Sequence, residues 1–87
     1  MDLQELRKEI DAIDDQIVSL FCQRMEVSAK IGAYKKERNL PVFVPAREQE
    51  KLIDVAAKAS PGMETAVQQL YSRIFELSRG LQDEVTL

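Results

Sequence analysis

Apolar residues recur along the first part of the chain at positions 3, 6, 10, 13, 17, 20, 27, 31 and 34, which hold Leu, Leu, Ile, Ile, Ile, Leu, Val, Ile and Tyr. The steps are mostly of three and four residues, the period of an α-helix with one apolar stripe. The pattern predicts a helix from Leu3 to Glu37. Asp2 stands at the N-cap with Glu5 three residues on, and Arg38-Asn39 before Leu40-Pro41 ends the run. A second helix is predicted from Pro45, a residue suited to the first helical position, to near Ala59, with Leu52, Val55, Ala56 and Ala59 facing inward. A third starts near Pro61 or Met63, with Ser60 in the capping place and Val67, Leu70, Ile74, Leu77 and Leu81 on one face. Gln82-Asp83-Glu84-Val85 is expected to fray. Val42-Phe43-Val44 lies between two prolines and reads as an extended connector rather than a strand. The fold class is therefore all-α: one very long N-terminal helix and two shorter ones, in a single domain over residues 1–87.

The first helix sets a geometric problem. Its 35 residues at about 1.5 Å each reach roughly 52 Å, whereas a compact chain of this length is about 30 Å across. Two short helices cannot cover it. The seam stays apolar almost to Tyr34, which argues against a long helix left in solvent. A second copy is expected to bury it, giving an intertwined homodimer.

Composition narrows the chemistry. Twelve Lys and Arg against fifteen Asp and Glu leave a net charge of −3, with no His and a single Cys among 87 residues. An acidic balance does not suit nucleic-acid binding, which wants a basic surplus. Without His, the His-dependent triads, Cys-His pairs and usual zinc sites are excluded. One Cys allows no intrachain disulfide, which suits a reducing compartment. Cys22 has no base to activate it and reads as a small packing residue. No run of about 18 apolar residues is present, and MDLQELRKEID has no apolar core of a signal peptide. A cytoplasmic location is expected, with no metal and no cofactor.

Several charges interrupt the apolar faces. Position 24 falls in the heptad row 3, 10, 17, 24, 31, and Arg24 is the charged member of that row. A guanidinium left unpaired there costs several kcal/mol, so Arg24 needs an anion, from the protein or from a ligand. Lys35, eleven residues on, lies within roughly 20° of the same face and about 16 Å along the axis. Alone it reads as a solvated lysine at a helix end; with Arg24 it can hold a small dianion. Arg7 lies roughly 25 Å before Arg24 and about 100° around the helix. Either it pairs with Asp11 on its own helix, or it reaches a partner's site across a twofold axis near Val18. Glu48 follows Arg47 in the first turn of the second helix, where it suits the helix dipole; it also faces inward, where a carboxylate accepts from a ligand hydroxyl. Ser78 and Gln82 stand one turn apart on the third helix, in line with Tyr71 and Phe75. An inward amide needs a partner.

These residues resemble the all-helical class of chorismate mutase. The likeness covers Leu3 to Gln82 and rests on LRKEIDAIDDQIVSLFCQR (6–24), IGAYK (31–35), the ARE triplet (46–48) and S-x-x-x-Q (78–82), in this order and at these spacings. The resemblance implies an isomerase that rearranges chorismate to prephenate in phenylalanine and tyrosine biosynthesis, in an intertwined dimer with two sites, each taking Arg7 from the partner chain. It implies that Arg7 and Arg24 clamp the enolpyruvyl carboxylate, that Arg47 with Ser78 holds the ring carboxylate, that Lys35 and Gln82 donate to the ether oxygen, and that Glu48 accepts from the ring hydroxyl. Gln82 stays neutral, so its donation needs no acid. Val44 departs from the Asp common in the family: it cannot cap with a side chain but keeps the backbone N–H that can meet the substrate hydroxyl. Two rivals are an isochorismate-pyruvate lyase on the same fold, which the Arg47-Glu48 pair disfavours, and a non-catalytic helical dimerisation module, which leaves Arg24 unexplained.

Overall fold

The computed structural model describes the backbone of residues 1–86 and the side chains of residues 1–82. It contains three helices, α1 (Leu3–Glu37), α2 (Pro45–Lys58) and α3 (Glu64–Thr86), and no strand among the described residues.

Both ends of α1 follow from local chemistry. The Asp2 carboxylate accepts from the Glu5 N–H at 2.8 Å, as an N-cap should. At the other end, Asn39 takes the left-handed conformation (φ 55°). The Leu40 N–H then reaches the Lys35 carbonyl at 2.9 Å, and the Asn39 N–H reaches that of Lys36. This pair of bonds closes the helix, and Asn tolerates the left-handed position better than most residues.

The second helix starts on Pro45 with no side-chain cap. Val44 offers only its carbonyl, which accepts from the N–H groups of Arg47 and Glu48. Here α2 ends at Lys58, one residue short of the expected Ala59, which is the extended C-cap. The third helix starts at Glu64, later than the expected Pro61 or Met63. The cause is Gly62, whose φ of 88° takes it off the helical path. Its N–H is held by the Glu64 carboxylate at 2.8 Å, while Ser60 contributes its carbonyl, to the Met63 N–H, rather than a side-chain cap. At its far end α3 continues through 82–85, where fraying was expected, to Thr86.

Packing is centred on α3, which lies against both α1 and α2, whereas no α-carbons of α1 and α2 come within 8 Å of each other. Val55, Ile74 and Phe75 form the small buried core. On α2 the expected inner face is the one that packs, with Leu52, Ala56 and Ala59 half-buried around Val55. The expected face of α3 is corrected at two positions: Leu70 and Leu77 stay exposed, whereas Val67, Ile74 and Leu81 are covered and the line of Tyr71, Phe75, Ser78 and Gln82 turns inward as expected. On α1 the row that meets α3 is Arg24, Ser28 and Gly32, Lys35 meets the connector, and Val27, Ile31 and Tyr34 stay exposed. Cys22, expected to pack, is exposed.

The molecule measures 55 × 24 × 14 Å, with a radius of gyration of 16.0 Å against about 12 Å for a compact chain of this length. Its accessible surface of 6774 Å² exceeds by roughly 1,600 Å² what a compact monomer of this mass exposes. The excess is carried by the apolar seam of α1, exposed from Leu3 through Leu20.

The missing cap of α2 gives a direct prediction. Val44→Asp is expected to stabilise the fold by about 1 kcal/mol, read as a rise in Tm of roughly 4–8 °C by circular dichroism. An unchanged or lower Tm would count against Val44 as the N-cap.

Candidate active site

The gap between α1 and α2, floored by α3, is a cavity of about 840 Å³, within the range that takes a small organic ligand. Among the described residues, six cationic side chains line it (Arg24, Lys35, Arg47, Lys51, Lys58 and Arg79) together with two carboxylates, Glu48 and Asp54. That is a local surplus of four positive charges in a chain of net charge −3. Such a hollow attracts an anion of more than one charge.

Along the α1–α3 contact runs a chain of polar groups. Arg24 Nη1 donates to Ser78 Oγ at 3.2 Å. Ser28 Oγ lies 3.0 Å from Ser78 Oγ, and Gln82 Nε2 donates to Ser28 Oγ at 3.0 Å. Ser28, Ser78 and Gln82 are all buried. The Arg24 guanidinium rests beside the rings of Tyr71 and Phe75, at 5.8 and 5.9 Å from their centroids, a favourable setting for a cation partly removed from water. Arg24 is thus half-buried on neutral partners, with no carboxylate paired to it among the described residues. Its charge is left for something that enters the cavity.

Gln82 carries an unpartnered buried oxygen, Oε1. A buried acceptor without a donor costs about 1–3 kcal/mol. The Ser28 hydroxyl can accept from the amide or donate to it, so Gln82 can present its amino group instead by turning over in place.

Gly32 is what lets Gln82 lie so close. A Cβ on Gly32 would stand 3.1 Å from Gln82 Cα and 3.2 Å from its Cβ and Cγ. The two helices approach there more closely than a Cβ at position 32 would ordinarily allow.

Across the cavity, Lys35 Nζ donates to the Val42 carbonyl at 3.0 Å, which ties the end of α1 to the connector. The Arg79 guanidinium donates to both oxygens of Glu48 and lies over the Phe43 ring, 4.7 Å from its centroid. The ammonium of Lys58, and then that of Lys51, holds the Asp54 carboxyl below the usual carboxylate range. Asp54 therefore stays ionised and engaged.

Of the residues singled out from the sequence, Arg24, Lys35, Val44, Arg47, Glu48, Ser78 and Gln82 all border this one cavity. Arg47 sits at its rim, exposed and 3.8 Å from Glu50. Arg7 lies outside it, exposed on the far half of α1, and makes no ion pair with Asp11 among the described residues. Three residues were missed. Ser28 and Gly32 follow Arg24 at four-residue steps, a spacing that keeps them near its face of the helix, but the heptad row that flagged Arg24 runs to Ile31 and passes both by. Arg79 adjoins Ser78 but turns about 100° away, toward α2, and no periodicity marked it.

Known proteins are similar to this chain in sequence. The bifunctional chorismate mutase/prephenate dehydratase of Aquifex aeolicus is 34% identical over 89 residues, covering 97% of this chain and 25% of that protein. The chorismate mutase of Methanocaldococcus jannaschii is 34% identical over 47 residues, 54% of this chain and 48% of that one. The 4-amino-4-deoxychorismate mutase of Streptomyces venezuelae is 33% identical over 46 residues, 53% and 45% of the two chains. The chain thus spans a quarter to a half of the length of these relatives. No solved structure matches it significantly. Residues 6–83 match the family model described as chorismate mutase type II, nearly the whole chain, and on that match the protein belongs to the chorismate mutase type II family.

Proposed function

We propose that residues 1–87 form one catalytic unit, an isomerase that rearranges chorismate to prephenate and acts in the cytoplasm. The observation that carries this reading is the cavity. Among the described residues it holds a surplus of four positive charges, neutral donors at Ser78 and Gln82, and no nucleophile paired with a base. Chorismate carries two carboxylates and rearranges within itself: the ether C–O bond breaks as a C–C bond forms, with no proton transfer and no covalent intermediate. A site for that reaction has two tasks. It holds the flexible substrate in its reactive shape, and it stabilises the negative charge that grows on the ether oxygen.

The chain's own residues suit these tasks. Arg24 has five N–H donors and uses one on Ser78, which leaves the others for the enolpyruvyl carboxylate. Lys35 has three and uses one on Val42, so its ammonium is pinned and still able to donate to the ether oxygen. Gln82 joins it from the opposite wall with a neutral amide. Arg47 at the rim, with Ser78 within, takes the ring carboxylate. Glu48 and the backbone of Val44 meet the ring hydroxyl.

Arg7 enters this reading from a second copy. Its own protomer holds it outside the cavity, and the exposed seam of α1 gives a second chain its surface. The roughly 1,600 Å² of excess exposure is of the order that each protomer buries in an obligate homodimer. An intertwined homodimer covers the seam and delivers the partner's first helix to the open side of the cavity.

The test is direct turnover. Chorismate is expected to be converted to prephenate, followed by loss of its ultraviolet absorbance and product mass; release of pyruvate, or no turnover by a folded dimer, would contradict the proposal. Arg24→Ala and Lys35→Ala are each expected to lower kcat by about two to three orders of magnitude with the helical signal unchanged. A wild-type rate from folded Lys35→Ala would remove Lys35 from the reacting centre.

A second prediction concerns Gly32. Alanine suits a helix interior better than glycine by about 1 kcal/mol, so Gly32→Ala should remain helical. Its methyl group forces Gln82 away from α1 by a few tenths of an ångström. We expect kcat to fall by about tenfold or more, since small misplacements are costly in such sites, with KM changed less. Unaltered kcat would show that the close approach is not needed for the reaction.

A further inference from the structure

The Glu48 carboxylate does not stand alone in the cavity. Arg79 Nη1 donates to both of its oxygens, and the same guanidinium is stacked on Phe43 from the connector. The two charged side chains are 30% and 24% exposed, so water screens the pair only in part. The neighbouring cations of α2 are turned elsewhere: Arg47 toward Glu50 and Lys51 toward Asp54. Among the described residues, Arg79 is the only cation paired with Glu48.

This pairing changes what Glu48 can recognise. A bare carboxylate accepts from a hydroxyl, but it attracts an ammonium more strongly because the charges are opposite. Once Arg79 is bound, the acceptor has a local charge near zero. Its oxygens keep lone pairs for a neutral donor. An incoming ammonium would instead face the Arg79 guanidinium across the same carboxylate, and like charges at that range repel.

We propose that Arg79 is a specificity-determining residue. By neutralising Glu48, it lets the site take a substrate whose ring carries a hydroxyl and turns away the analogue whose ring carries an ammonium in the same place. This inference rests on the reading that Glu48 meets the ring hydroxyl of chorismate. Primary amines of this kind are protonated at neutral pH, so the analogue arrives as a cation. Arg79 acts through Glu48 and through charge, and need not touch the reacting bonds.

The experiment compares kcat/KM for chorismate and for 4-amino-4-deoxychorismate in the wild type, Arg79→Gln, Arg79→Lys and Glu48→Gln. The wild type is expected to prefer chorismate. Arg79→Gln removes the charge and keeps a donor toward Glu48. It should raise the amine-to-hydroxyl ratio of kcat/KM by about tenfold or more, equivalent to roughly 1.4 kcal/mol. Arg79→Lys restores the cation and should return the ratio toward that of the wild type, which a purely structural role for Arg79 would not require. Should Arg79→Gln lose its helical signal, Arg79→Met keeps an apolar stem over Phe43 and gives the same readout. A wild type that uses both substrates equally, or an unchanged ratio in a folded neutral variant, overturns the proposal. The underlying reading fails separately. If Glu48→Gln leaves chorismate turnover intact, Glu48 does not meet the ring hydroxyl. If it lowers that turnover while the Arg79 variants leave the ratio unmoved, only the role of Arg79 is lost.

Discussion

The length of α1 is the constraint on which the rest of the molecule depends. A helix of 35 residues is about 52 Å long, and the other two helices reach only part of it. What α1 packs within its own protomer lies along its second half, where Arg24, Ser28, Gly32 and Lys35 meet α3 or the connector. The first half carries apolar residues into solvent, with Ile17 at 58% exposure and Leu20 at 63%. With three apolar side chains buried among the described residues, one chain has little core to offset the entropy of ordering itself. In the proposed homodimer, a second copy on the seam would answer the stability problem and the functional one together, because it would bring Arg7 to a cavity that its own chain leaves open.

Within the protomer, the site is built by keeping α1 and α2 apart and pressing α1 and α3 together. The gap supplies the cavity. The close approach at Gly32 supplies precision, since it sets Gln82 against Ser28 and leaves the amide one polar atom short of a partner. Arg24, Lys35 and Gln82 are each held by one bond and have donors to spare. That is the condition for stabilising a charge that appears only during reaction: the donors are fixed beforehand and need not reorganise.

Most of the fold was legible in the sequence because helices obey a short-range code. The Asp2 cap, the stop at Arg38-Asn39 and the start at Pro45 are read from neighbours. The start of α3 was misplaced because the left-handed turn at Gly62 overrode the pattern. Two residues of the α3 face were misassigned for a different reason. Leu70 and Leu77 are apolar but face away from α1 and α2, and a stripe of leucines does not say which neighbour will cover it. Of the site, Arg24 was visible as a charge in an apolar row. Lys35, Arg47, Glu48, Ser78 and Gln82 were weak signals singly and became specific only as a spaced set. Ser28 and Gly32 were overlooked because a small residue is silent in a hydrophobic pattern. Arg79 could not be seen at all, because its partnership with Glu48 is made across 31 residues of chain.

The central claim is that chorismate is rearranged in a site that two chains complete. It is tested most directly by mixing two inactive variants, Arg7→Ala and Lys35→Ala, under conditions that exchange subunits. Each mixed dimer then holds one site with both residues intact. Random pairing should restore about a quarter of the wild-type rate of prephenate formation. If both variants are inactive alone and the mixture stays inactive although exchange is demonstrated, Arg7 and Lys35 serve the same chain's site and the account is wrong.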